Sequence, residues 1–112
     1  MQIHFTTKER NLIVTIEGEV DHHTSVEIRE KVDREFQKRR ARNIIFDFTN
    51  IQFMDSSGIG VLMGRYRNVM ILGGDIALYG VGDQVDRVLS ISGIYKIMKN
   101  YDSMDEAILN LA

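Results

Sequence analysis

Hydrophobic and polar residues alternate from the start of the chain. Ile3 and Phe5, and then Leu12, Val14 and Ile16, are each spaced by two, with Asn11 between the two runs. A period of two puts those side chains on one face of a pleated strand, so this segment is predicted to form two strands joined by a tight turn, antiparallel to each other. Glu17-Gly18-Glu19-Val20-Asp21 is read as the way out into a loop. The period then changes. Ile28, Val32 and Phe36 recur every four residues with charges between them, which predicts a surface helix of about four turns with one buried stripe. Thr24 is placed to cap it, with Glu27 three residues on to close a capping box. The basic tail Lys38-Arg39-Arg40 suits a helix C-terminus, where cations complement the dipole.

Ile44-Ile45-Phe46-Asp47-Phe48 is an apolar run broken once, the pattern of a strand covered on both faces in a parallel sheet. Asn50 to Asp55 is read as a loop with Ile51 and Phe53 pointing inward. Ser56-Ser57-Gly58-Ile59-Gly60 opens a second helix, whose apolar face is assigned to Ile59, Leu62, Met63, Tyr66, Val69 and Met70, and Gly73-Gly74 ends it. Ile76 to Tyr79 is a strand. Asp83 caps a short helix carrying Val85, Val88 and Leu89. Ile91 and Ile94 follow around Gly93, Ile97 begins a brief last strand, and Ser103 with Glu106 forms a capping box before Ala107, Ile108 and Leu111. The order ββαβαβα(β)α implies an α/β fold with a mixed four- to five-stranded sheet and about four helices. A ferredoxin-like unit fits that order less well.

The 112 residues suit one domain spanning 1–112. Lys and Arg number 14 and Asp and Glu 16, a net charge of 14 − 16 = −2, without the basic surplus of a general nucleic-acid binder. The absence of cysteine excludes a disulfide scaffold, a thiol nucleophile and a cysteine metal site. No apolar run is long enough for a spanning helix, and MQIHFTTKERN has no apolar signal core, so a cytoplasmic protein is expected.

Phe53-Met54-Asp55-Ser56-Ser57-Gly58-Ile59-Gly60 concentrates the chemistry. It sets a carboxylate and two hydroxyls at the start of an apolar helix, among small residues that let another surface come close. One serine can cap the helix; one can also receive a phosphoryl group, which a helix N-terminus tolerates. A hydrolase is disfavoured, because no base is in register and the run is not Gly-x-Ser-x-Gly. It also lacks the lysine of a phosphate-binding loop, and Gly80-Val81-Gly82 reads as a turn. Asp21-His22-His23-Thr24 precedes the first helix. In a parallel layout it shares one rim of the sheet with the 53–58 loop. Adjacent histidines alone do not converge on a metal ion.

These runs, with Gly64-Arg65-Tyr66 and Ser92-Gly93-Ile94-Tyr95-Lys96-Ile97, resemble the anti-sigma factor antagonists of the STAS fold across essentially the whole chain. Asp21-His22-His23-Thr24 points to the sporulation branch. The resemblance implies a binding protein, not an enzyme. In this family the unphosphorylated antagonist binds a dimeric, nucleotide-bound anti-sigma factor that is also a serine kinase, and so frees a sigma factor. The kinase phosphorylates the antagonist and switches it off, and a metal-dependent serine phosphatase reverses this. Carried over, Ser56 is the phospho-acceptor, and Asp21, His22, His23, Thr24, Asp55, Ser57, Gly58 and Gly60 form the partner-binding surface. Gly58 and Gly60 are expected to keep the partner-facing helix end slim. Nucleotide and magnesium belong to the kinase, so no cofactor, no metal, no direct nucleic acid and no membrane are implied, and the free protein is expected to be a monomer. A STAS module of another partner-switching or stress system is the alternative, with a small hydrolase behind it.

Overall fold

A computed structural model describes residues 1–111. The chain runs β1 (Gln2–Lys8), β2 (Asn11–Val20), α1 (His22–Lys38), β3 (Asn43–Met54), α2 (Ser56–Ile71), β4 (Ile76–Tyr79), α3 (Asp83–Ser92), a 3₁₀ turn (Ile94–Lys96), β5 (Lys99–Tyr101) and α4 (Met104–Leu111). The sheet has five strands in the order β1-β2-β3-β4-β5. β1 pairs antiparallel with β2, and every later pairing is parallel.

Strand alternation divides the core between two layers. Leu12, Val14, Ile16, Ile44, Phe46, Phe48, Ile76 and Leu78 pack with Ile28 and Val32 of α1, Val61, Leu62 and Val69 of α2, and Val85 and Leu89 of α3. The intervening Ile45 and Ala77 pack on the other side with Ala107 and Ile108 of α4. Three helices therefore cover one face, and α4 covers part of the second. Asn11 and Asn43, both buried, stitch the lower ends of β2 and β3: Asn43 Nδ2 donates to Asn11 Oδ1 at 2.9 Å.

Several boundaries depart from the sequence reading. The hairpin turn is Glu9-Arg10, with Glu9 at φ 59°, and Asn11 already belongs to β2. Glu17 to Val20 continue β2 instead of forming a loop, and residues 50–54 continue β3. The pairing of β2 with β3 contains register shifts at Thr15/Glu17 and Gly18/Glu19. In each, β3 spends one residue more than β2, and such bulges keep a strand paired across irregular sequence. Phe53 is 40% exposed instead of pointing inward, whereas Ile51, half-buried, packs against the core as expected and Met54 is fully inside it. On α2 the buried face is Gly58, Val61, Leu62, Arg65 and Val69, while Met63 and Met70 are exposed. Gly82, not Asp83, is the N-cap of α3, without a side-chain bond. The last strand begins at Lys99, not Ile97. Ser103 Oγ accepts the Glu106 N–H at 3.1 Å, which is one half of the expected capping box; among the described residues the Glu106 side chain makes no return bond to the Ser103 N–H.

Candidate functional site

The site begins with two parallel strands that end side by side. Val20 of β2 is in register with Met54 of β3, and the Asp55 N–H donates to the Val20 carbonyl at 3.1 Å, the last rung between them. Each strand is followed by an aspartate and then a helix, so the N-termini of α1 and α2 emerge together at one edge of the sheet.

Both aspartates cap. Asp21 Oδ1 accepts the Thr24 N–H at 2.9 Å, and Thr24 Oγ1 accepts the Asp21 N–H at 3.0 Å. Thr24 is thus the third residue of the helix, closing the box, and not its cap, and Glu27 lies one turn further on, in an i,i+4 pair with Lys31 at 3.5 Å. Both residue types cap well, and the extended backbone at Asp21 (φ −131°, ψ −175°), with the helix already begun at His22, makes the aspartate the cap. The Thr24 backbone N–H, as the strongest influence, holds the Asp21 carboxyl below its ordinary range; partial desolvation opposes it, and the Thr24 hydroxyl and His23 reinforce it. His22 and His23 are exposed in the first turn of α1.

Asp55 Oδ1 accepts the Ser57 N–H at 2.8 Å, so the carboxylate, not a serine hydroxyl, caps α2. Ser56 is the first residue of the helix and is exposed; Ser57 is half-buried. Gly58 turns inward. A Cβ there would stand 2.6 Å from Met54 Cγ and Sδ, so its smallness serves the core and not a partner. Gly60 is exposed with nothing within 4 Å of where a Cβ would stand, and it alone of the two glycines leaves room on the outer surface. The structure therefore brings Asp21–Thr24, Asp55, Ser56, Ser57 and Gly60 to one rim and sends Gly58 beneath it.

Gln84 escapes the sequence pattern, and Phe53 and Arg65, though they lie in its motifs, have no part in the site predicted from it. Phe53 presents an exposed ring one residue before the Met54-Asp55 corner. Gln84, at the start of α3, binds the backbone of Met54. Arg65 is 5% exposed on the inner face of α2, with its Nε 2.8 Å from Asp33 Oδ1 of α1 and its Nη1 donating to the Val61 carbonyl at 3.2 Å. Arg65 Nε makes no well-aligned hydrogen bond, so proximity of charge holds the pair. Burial pushes the guanidinium down from its ordinary value, and Asp33 opposes the shift. The pair ties together the two helices whose N-termini make the rim. An arginine among apolar spacings gives no periodic signal of its own.

Chemically, the rim offers an exposed hydroxyl at a positive helix end, flanked by carboxylates that are already engaged as caps. Among the described residues, no group of three or more His, Asp or Glu is placed to hold a metal ion, and no helix is long and apolar enough to cross a membrane.

Residues 2–107 match the STAS domain family, and the chain belongs to that family. It is 41% identical to the anti-sigma F factor antagonist of Paenibacillus polymyxa over 99% of this chain and 95% of that protein. Its fold superposes on the anti-sigma factor antagonist SpoIIAA in its unphosphorylated form with a TM-score of 0.83 and 30% identity, covering 96% of this chain and 93% of the other. The Bacillus cell fate determinant SpoIIAA in its phosphorylated form gives a TM-score of 0.76 and 28% identity, covering 99% and 100%.

Proposed function

We propose that this chain is an anti-sigma factor antagonist, a single-domain cytoplasmic switch that binds an anti-sigma factor kinase when unphosphorylated and releases it once Ser56 carries phosphate. The relatives at this level of identity are antagonists of the same kind, and SpoIIAA exists in both phosphorylation states. The observation that carries the residue assignment is the contrast at the start of α2: Ser56 is exposed and Ser57 half-buried, with its N–H bound to the Asp55 cap.

The physics of the switch follows from that place. A phosphoryl group adds about 1.5–2 negative charges at neutral pH. The helix N-terminus accommodates them, so the antagonist stays folded. Against a partner pocket fitted to a neutral hydroxyl, the same charge and bulk carry a desolvation penalty that ends the complex. Asp21, His22, His23, Thr24, Asp55, Ser57, Gly60 and Phe53 make up the surface the partner meets. Gly58 acts from below, by letting Met54 pack. A serine phosphatase resets the switch; nucleotide and magnesium stay with the kinase.

The test is phosphosite mapping. The chain is incubated with ATP and the anti-sigma factor kinase encoded in the same genome, then digested and read by mass spectrometry. One phosphate on Ser56, and none on the Ser56→Ala variant, is expected. Phosphate on Ser57, or none at all, would contradict the reading.

A further inference from the structure

We infer that Gln84 is a positioning residue of this switch: its side-chain amide replaces a missing strand beside Met54 and so sets which serine is offered to the kinase. The inference rests on the reading of Ser56 as phospho-acceptor.

β3 has twelve residues and β4 four. On the β2 side, β3 is paired as far as Met54, but on the β4 side pairing stops at Asp47 with Tyr79. Beyond that point the second edge of β3 has no strand neighbour. Backbone groups alternate along a strand: Asp55 directs its N–H to Val20 in β2, and Met54 directs its N–H and carbonyl to the open edge. There Gln84 Oε1 accepts the Met54 N–H at 2.9 Å, and Gln84 Nε2 donates to the Met54 carbonyl at 2.9 Å. The orientation of the amide is unambiguous, because an N–H can only donate and a carbonyl can only accept. The two bonds close a ring as a strand neighbour would.

Met54 is 1% exposed, so without Gln84 two buried backbone groups would lose their partner. Asp55 follows directly, and its carboxylate selects the N–H of Ser57 and leaves Ser56 outside. The Met54 side chain also fills the space under Gly58. The cap and the packing under Gly58 therefore both adjoin Met54, whose backbone is held by β2 on one edge, through the Asp55–Val20 rung, and by Gln84 on the other. With the Gln84 bonds gone, Met54 is held on its β2 edge alone, through the Asp55–Val20 rung, and a cap that slips by one residue puts Ser57 in the place of Ser56. Gln84 sits on α3, so the first turn of that helix is coupled to the switch through two hydrogen bonds.

The experiment compares wild type, Gln84→Ala and Gln84→Glu in two assays. The first is amide hydrogen exchange on the free chain. Gln84→Ala should speed exchange at Met54 and in residues 55–58 and leave Val69 and Ala107 unchanged. The second is phosphorylation by the same kinase with ATP. Misplacing a reacting group by about 1 Å can cost on the order of 100-fold, so kcat/KM should fall about 10- to 100-fold, chiefly in kcat. Part of the phosphate should move to Ser57. Gln84→Glu keeps the acceptor for the N–H and loses the donor for the carbonyl, so it should fall between. If Gln84→Ala unfolds below assay temperature, the same readouts on Gln84→Glu decide. Both variants phosphorylated on Ser56 alone at the wild-type rate would overturn the role of Gln84. No phosphate on the wild-type chain would overturn the kinase-substrate reading first, and the role of Gln84 with it.

Discussion

Asp21 caps α1 at the rim, and the solution pH reports on that cap. The Asp21 carboxyl is held below its ordinary range, mainly by the Thr24 backbone N–H. A depressed folded-state pKa contributes stability that is present above the unfolded value, about 4, and lost as pH falls through the folded value. Asparagine caps without titrating. Melting curves of wild type and Asp21→Asn should therefore differ by a constant amount near neutrality and shift relative to each other below pH about 4, with wild type losing the more stability. Parallel curves through the acid range would remove the cap from the account.

The glycines of the same motif give opposite outcomes. Gly58→Ala forces a methyl group against the buried Met54 side chain, and overpacking of this kind costs about 1–3 kcal/mol, of which the helix preference for alanine offsets about 1 kcal/mol. Gly60→Ala meets open space within a helix, where alanine is favoured by about 1 kcal/mol. Urea unfolding should show the first variant destabilised and the second slightly stabilised. Titration against the kinase should show Gly60→Ala weakened all the same, since the methyl group projects from the outer surface. Unchanged binding would take Gly60 out of the interface.

Among the elements, α1 and α2 are joined by Arg65 and Asp33, where a buried guanidinium depends on a half-exposed carboxylate. Asp33→Ala leaves that charge without its counterion and should cost about 1–3 kcal/mol in urea unfolding. Replacing both residues with apolar ones should recover most of the loss, since a buried pair is often neutral against a well-packed apolar substitute. Failure of the double variant to recover would mean that the arginine serves the packing of α2 by its stem alone.

The elements themselves were largely legible in the chain, because alternation and the fourfold spacing of Ile28, Val32 and Phe36 report burial directly. What was not legible has definite causes. The register shifts in β3 broke the alternation, so residues 50–54 passed for a loop and Phe53 for a core residue. Asp21 and Thr24 are both good caps, and only the backbone geometry chooses between them. At the site, the Asp-Ser-Ser-Gly run announced itself, and the sharing of one rim followed from parallel topology. The Gln84 clamp could not be read, since it joins residues 30 apart through a side chain of ordinary composition.

For the molecule as a whole, the central claim is that charge on one serine decides whether a preformed surface binds. The rim is assembled by strand register, the Asp21 and Asp55 caps and the Gln84 clamp, none of which uses the Ser56 hydroxyl, so phosphorylation need not refold anything to act. The most direct test is a titration of the nucleotide-bound kinase with the chain before and after stoichiometric phosphorylation of Ser56, with circular dichroism on both forms. The expected result is an unchanged fold and a Kd raised about 100-fold or more, equivalent to about 2.8 kcal/mol at tenfold per 1.4 kcal/mol. Equal affinity of the two forms would contradict the account.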